Sequence, residues 1–432
     1  MTEPVPATAN GAAGSIVPAP RSSAMPDFFD PATLRAHVAH TLAFYHPRAI
    51  DPSGGFYHYF LDDGTVYDAH TRHLVSSTRF IFVYARAYQA FGDADYLKAL
   101  QHGLHFLREV HRQPHNGAYL WQLDWRDGRA ALIDAENHCY GLAFVLLAYA
   151  CALQAGVTQA RGWLDETFDL MEAQFWQREH GLYADQASSD WQSVAPYRGQ
   201  NANMHACEAM LAAFDATGEV RFLRRAETLA ANITLRQAGR AGGMIWEHYH
   251  ADWTPDWEYN RDDPANLFRP WGYQPGHFTE WAKLLLQLER QRAHLQHDGV
   301  WLLPRAEVLF LQALAHGWDA RDGGIQYGFA PDGSICDDDK YFWVQAESLA
   351  AAAMLAARTG KQVYRDWYQK IWAYSWAHMI DHQHGAWYRI LTKDNRKLSN
   401  QKSPAGKVDY HTMGACYDAI QALQRMPPKA SG

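Results

Sequence analysis

Three features of the 432-residue sequence predict an all-α fold, an (α/α)6 barrel of six outer–inner helix pairs with short β-hairpins at one end. A glycine turn recurs in "SGGFYHYF", "HNGAYLWQ", "EHGLYADQ", "AGGMIWEH", "DGGIQYGF" and "HGAWYRIL". Aligned on their last glycines (55, 117, 181, 243, 324 and 385), these turns are spaced by 62, 64, 62, 81 and 61 residues, which is an internal repeat. Two kinds of helical text alternate around the turns. The more apolar kind begins with polar or aromatic residues in all six repeats, as it should if those ends converge on one pocket. An open α-solenoid is the main competitor and gives no reason for that convergence.

Each element follows from its text. Before the turns lie segments such as "DADYLKALQHGLHFLREV", "WLDETFDLMEAQFW", "EVRFLRRAETLAANI" and "VYRDWYQKIWAYSWAHMI", whose charges leave one apolar stripe and predict outer helices. After the turns come "TRFIFVYARAY", "ENHCYGLAFVLLAYACAL", "NMHACEAMLAAF", "HFTEWAKLLLQL", "WVQAESLAAAAMLAA" and "HTMGACYDAIQAL". A helix that is apolar nearly all round must be surrounded by protein, so these are inner helices. The glycine supplies the positive φ of a tight turn, and the apolar–x–apolar text after it predicts a short strand. The 81-residue interval holds the insertion "HYHADWTPDWEYNRDDPANLFRPWGYQP", which leads into His277. A loop this long and this aromatic is expected to be an ordered lid. Residues 1–27 have no basic or compact apolar region and are rich in Pro and Ala, so a disordered extension is expected, not a signal peptide. Residues 28–426 form one catalytic domain in this reading, and 427–432 a tail.

Composition narrows the function. Hydrophobic residues make up 48% and aromatic residues 14%, with 17 Trp and 23 Tyr, enough for a large core and rich in rings that suit sugar faces. Net charge is −8 with Lys and Arg scattered, which argues against nucleic acid or an anionic membrane as partner. The longest apolar run, Leu142 to Leu153, is too short for a membrane span. A small neutral molecule is the expected partner, and a homo-oligomer is compatible with the sequence. Five Cys, odd in number and widely spread, suggest neither disulfides nor a CxxC metal site, so a cytoplasmic location is expected.

Comparison of the inner-helix starts selects the candidate site: Arg79; His138 with Tyr140; Asn201, His205 and Glu208; His277 and Glu280; Trp343 and Glu347; His411. Of the 23 His, only His205 and His277 have Glu at i+3, and both open inner helices. Singly, each has an ordinary reading as a packed His, a salt-bridged Arg or a core aromatic. Glu347 on an Ala-rich helix is costly to bury without a partner, which implies pairing with Arg, His or a substrate hydroxyl. As a set they suit a metal site, a hydrolase or a proton-transfer site. Metal is disfavoured, because there is no HExxH, no Cys partner and no dense carboxylate cluster. An (α/α)6 glycoside hydrolase would need two carboxylates, which Glu208, Glu280 and Glu347 could supply. Three pocket His exceed that need, and imidazole suits reversible proton transfer near neutral pH.

The segments "TRFIFVYARAY", "NANMHACEA", "RPWGYQPGHFTEWAKLLLQL", "WVQAES" and "YHTMGACYDAI" resemble the N-acylglucosamine 2-epimerase superfamily from about residue 30 to 424. The insertion ending "FRPWGYQPGHFTEWAKLLL" is most similar to the mannose isomerase branch. The resemblance implies an (α/α)6 barrel acting on monosaccharides without metal, nicotinamide or other cofactor. It implies His277 and His411 as the acid/base pair and Arg79 near O1 and O2. It makes His205, Glu280, Tyr140, Asn201 and Trp343 sugar-binding or supporting residues and Arg269 a further substrate-side candidate; Glu208 and Glu347 join them from their places at the inner-helix starts. Glu280 is expected to orient His277. The expected reaction is mannose–fructose isomerisation through a cis-enediolate, with His411 as the C2 base. Sugar 2-epimerisation is the alternative and glycoside hydrolysis the more distant one.

Overall fold

The computed structural model describes residues 25–295 and 297–425. Outer helices are α1 (Pro31–Tyr45), α3 (Ala94–Phe106), α5 (Ala160–Gln174), α7 (Val220–Ala231), α10 (Leu302–Gly317) and α12 (Gln362–Tyr374). Inner helices are α2 (Leu74–Phe91), α4 (Cys139–Gln154), α6 (Gln200–Thr217), α9 (Pro275–Arg290), α11 (Phe342–Thr359) and α13 (Tyr410–Leu423); α8 is a single turn, Ala238–Arg240. Burial follows the sequence text: α11 is buried from Phe342 through Ala356, whereas α5 buries only one stripe, including Leu164, Phe168 and Met171. No helix among the described residues is long and apolar enough to cross a membrane.

The inner helices contact one another in the order α2, α4, α6, α9, α11, α13, and α13 returns to α2, so the ring is closed. Each outer helix packs on the inner helix before it in the chain: α3 on α2, α5 on α4, α7 on α6, α10 on α9 and α12 on α11. The sequence pairing of each outer helix with the inner helix after it is therefore shifted by one. The reason lies in the connections. Gly92, Gly218 and Gly360 end α2, α6 and α11 in the left-handed conformation with N–H groups bonded back into the helix, so the next helix returns at once antiparallel. The first outer helix has no predecessor, and α1 packs on α13 instead.

All six turn glycines have positive φ, between 62° and 92°. The strands around them form a second ring. Thr71–His73, ahead of α2, pairs with Gln122–Arg126 after the next turn. Asn137–His138 pairs likewise with Gln186–Ala187, Arg198–Gly199 with His248–Tyr249, Tyr273 with Phe329, and Lys340–Tyr341 with Ile390–Leu391. Gln401–Ser403, ahead of α13, closes the cycle on Tyr59–Leu61. Each pairing fixes the start of an inner helix, which is where the candidate residues sit.

The insertion is less a free lid than expected. Trp253 is fully buried, and the rings of Trp246, Trp257, Trp271 and Tyr273 pack together. Trp271 Nε1 donates to the Trp257 carbonyl at 2.7 Å and His248 Nε2 lies 2.8 Å from the Pro270 carbonyl. One part of the segment is core. Another part, at Leu267, Phe268 and Pro270, reaches the site.

Candidate active site

At the hairpin end of the barrel a narrow cavity of about 30 Å³ is lined by Arg79, Tyr140, Asn201, His205, His277, Glu280, Trp343 and His411, eight of the residues selected from sequence. Leu267, Phe268, Pro270, Tyr327 and Lys407 complete it.

His277 stands in the first turn of α9, which Pro275 opens. Its Nδ1 lies 2.9 Å from Glu247 Oε1 and 3.0 Å from Gln200 Nε2. Trp281 Nε1 donates to Gln200 Oε1 at 2.7 Å, which turns the amide NH2 toward the imidazole and toward Glu247 Oε2, 2.9 Å away. Glu280 does not orient His277, contrary to the i+3 expectation. Two residues three apart share a helix face, but Glu247, delivered by the turn at Gly243, is the one that reaches Nδ1. Both Glu280 oxygens are buried without a hydrogen-bond partner. Burial first, and then the charge of Glu347, hold its carboxyl far above the usual carboxylate range.

His411 places Nδ1 2.7 Å from Glu347 Oε1. Burial, reinforced by the cations Arg79, Lys283 and Lys407 and by the neighbouring His205 ring, holds its pKa well below the ordinary value, so the ring is neutral. A neutral ring that donates Nδ1–H to a carboxylate keeps its lone pair on Nε2. Glu347 is pushed up to about 7 by burial, against the pull of Lys283. Trp343 neighbours both imidazoles, its ring 5.0 Å from His277 and 5.7 Å from His411. His205 meets Glu208 at 3.0 Å as its spacing predicts, and burial lowers its pKa to about 4. Burial would raise Glu208, but Lys283 and the His205 hydrogen bond outweigh it and hold the carboxyl at about 2.

Arg79 is 1% exposed. One guanidinium nitrogen donates to the Gly406 carbonyl and the other to Tyr140 Oη at 3.2 Å, and the group lies over the rings of Phe144 and Tyr410. Asn201 Oδ1 and Trp343 Nε1, like the Glu280 oxygens, are buried without a protein partner. A cavity bordered by unused donors and acceptors fits a ligand dense in hydroxyls. Lys407, lowered to about 7 by burial and then by Arg79 and Arg389, adds a cation beside it.

Four selected residues lie off this cavity, one of them His138, which borders the same space as Arg269. Glu208 and Glu347 border a second space of about 430 Å³ and support His205 and His411 from behind. Arg269 borders a third space of about 420 Å³, with Tyr259 Oη at 3.0 Å, Gln186 Oε1 at 2.9 Å and the Tyr197 ring beneath it. That space shares Tyr140, Asn201 and Phe268 with the inner cavity. Sequence reading did not find Glu247, Gln200, Lys283, Lys407, Tyr327 or Phe268. Signals existed for two of them: Glu247 is an acid four residues after a turn glycine, and Lys283 is a cation in otherwise apolar helix text.

Two groups, His205–Glu208–Glu280 and Glu280–Glu347–His411, bring ligand atoms within 4.8 Å of one another and are the described residues best placed to hold a metal ion. The Lys283 ammonium already lies among their carboxylates, 2.6 Å from Glu347, 3.8 Å from Glu208 and 4.0 Å from Glu280.

Residues 55–415 match the sequence profile described as N-acylglucosamine 2-epimerase (GlcNAc 2-epimerase). The chain belongs to this family. As an N-acylglucosamine 2-epimerase family member it is an enzyme of the isomerase and 2-epimerase class. It is 54% identical to a D-mannose isomerase of Marinomonas mediterranea over 399 residues, 92% of this chain and 99% of that protein. The crystal structure of a D-mannose isomerase superposes with a TM-score of 0.89 at 53% identity, covering 92% of this chain and all of the other. Cellobiose 2-epimerase from Spirochaeta thermophila, at 22% identity, has a TM-score of 0.80 over 91% of this chain and 97% of its own, a likeness of fold.

Proposed function

We propose that this enzyme interconverts D-mannose and D-fructose by proton transfer between histidines and an open-chain sugar. The observation that carries the reading is a pair of imidazoles, His277 and His411, each tied through Nδ1 to its own carboxylate and both bordering a cavity with Arg79. The 54% identity to a protein named D-mannose isomerase supports the choice of sugar.

In this mechanism His411 Nε2 takes the C2 proton of the aldose. The C–H electrons form the C1–C2 double bond and the carbonyl electrons move to O1, giving a cis-enediolate whose charge Arg79 stabilises. His277 moves the proton from O2 toward O1, and His411 returns its proton to C1, which leaves the carbonyl at C2. Tyr140, Asn201, His205, Glu280 and Trp343 hold the hydroxyls and the carbon face of the sugar; Glu208 and Glu347 support the imidazoles. An epimerase would instead need a second base delivering the proton to the opposite face of C2, and His277 is the candidate for that role. A glycoside hydrolase would need two carboxylates free for chemistry, whereas Glu208 and Glu347 are engaged by His205, His411 and Lys283.

No metal or other cofactor is assigned a step, so activity is expected to survive EDTA and dialysis within about twofold; loss restored by a divalent ion would overturn this. The unpaired cysteines support a cytoplasmic location. The functional test is a substrate panel of D-mannose, D-glucose, cellobiose and N-acetylmannosamine. Fructose from mannose is the expected result, and turnover confined to another member would replace the assignment.

A further inference from the structure

Lys283 is a buried cation that the proposed reaction leaves unused. It lies one turn after Glu280 on α9 and is 4% exposed. Its ammonium contacts Glu347 Oε2, while Glu347 Oε1 faces His411 Nδ1; it is also the nearest cation to Glu208, whose other oxygen faces His205 Nδ1. One ammonium from α9 thus meets the carboxylates behind two imidazoles, on α6 and α13.

We propose that Lys283 is a positioning residue: its ammonium keeps Glu347 and Glu208 ionised and thereby holds His411 and His205 as tautomers with Nδ1–H toward the carboxylate and Nε2 open to the sugar. The role of His411 as base is taken from the isomerase reading above. Consider a buried carboxylate left without a cation. It takes up a proton rather than remain charged. A protonated Glu347 would present O–H to His411 Nδ1, the hydrogen bond would reverse, and the ring proton would move to Nε2. An imidazole with its proton there cannot accept one from carbon.

Among the described residues, Lys283 is the Lys or Arg within ion-pair distance of both carboxylates. It is faced by Glu208 from α6, Glu280 from its own helix, Glu347 from α11 and Asp418 from α13. Glu347 is faced by Lys283, His411, Glu208, Glu280 and Asp418. His411 is faced by Arg79 from α2, His205 from α6, Lys283, Lys407 and Glu347. Burial drives Glu347 up and Lys283 is the first influence opposing it. The space of about 430 Å³ behind these side chains gives a longer cationic side chain room.

The test measures kcat against pH for mannose-to-fructose conversion by the wild type, Lys283→Met and Lys283→Arg, together with ¹⁵N NMR of the histidine rings. Lys283→Met should lose at least about tenfold in kcat, with KM little changed. The acidic limb of its profile should move to higher pH, because Glu347 would then stay protonated further up the scale. Lys283→Arg should restore much of kcat and return the limb to its wild-type place. A folded Lys283→Met with wild-type kcat and an unmoved limb overturns the inference, and so does a variant that loses only thermal stability. If Lys283→Met does not fold, the wild-type spectra and Lys283→Arg decide: protons on Nε2 of His411 and His205, or a shifted limb in Lys283→Arg, would sink the proposal. Wild-type protein that turns over no aldose would refute the reaction reading instead, and the tautomer measurement would still judge Lys283.

Discussion

At the scale of single residues, His411 and His277 each commit Nδ1, at 2.7 Å from Glu347 and 2.9 Å from Glu247, so the nitrogen left for chemistry is Nε2 in both. His411→Asn is expected to keep the fold and much of the sugar affinity while kcat falls about 10²- to 10⁴-fold, the usual range for a general acid/base. A change in KM alone, with kcat preserved, would remove His411 from the chemistry. The pH dependence follows from the pair. His411 is depressed far enough to remain neutral through the working range, so its own titration does not shape the profile. Glu347, raised to about 7, must be ionised to accept Nδ1–H; that form is present above about pH 7 and is lost as pH falls through it. An acidic limb near pH 7, absent from a slower Glu347→Gln variant, is the expected result of steady-state kinetics. Most of this site was legible because inner-helix starts are regular positions and an unusual residue type stands out there. Glu247 was not, because its contact with His277 depends on a turn from another part of the chain, and the nearer-in-sequence Glu280 offered an easier but incorrect partner.

At the scale of elements, the insertion after the fourth turn divides into an anchored part and a site-facing part. Trp253, buried among core aromatics, should cost about 3–5 kcal/mol when truncated to Ala, with kcat and KM of the surviving folded protein nearly unchanged. Phe268, which borders both the inner and the outer cavity, should show the converse: Phe268→Ala raises KM or alters sugar preference while the melting temperature hardly moves. Equal effects of the two substitutions on stability would mean the segment acts as one structural unit. Sequence reading found the insertion and its ordered character from its length and its Trp content. It could not divide the two roles, since which rings point inward depends on the packing of Trp246, Trp257, Trp271 and Tyr273.

At the scale of the whole molecule, the first and last helices of the described residues meet. Helix α1 packs on α13, and Tyr59–Leu61 pairs with Gln401–Ser403, so the first and last repeats complete one another. Removing residues through Tyr45 would expose the partners of Leu34, Val38 and Leu42, all fully buried, and is expected to abolish a soluble cooperative fold. A truncated protein that still unfolds cooperatively would show that five outer helices suffice. The ring was foreseeable from six turns of near-equal spacing. The partner of each outer helix was not, because charge pattern marks a helix as outer without saying which neighbour it covers, and that is settled by the short glycine-capped connections at Gly92, Gly218 and Gly360. All of these features converge on one claim, that His411 moves a proton between C2 and C1 of an open-chain sugar while His277 moves one between O2 and O1. The most direct test is NMR of D-mannose incubated with the enzyme in D2O. Fructose carrying deuterium at part of its C1 positions is the predicted result; glucose labelled at C2 without fructose, or no exchange of the C2 proton of any aldose, would contradict it.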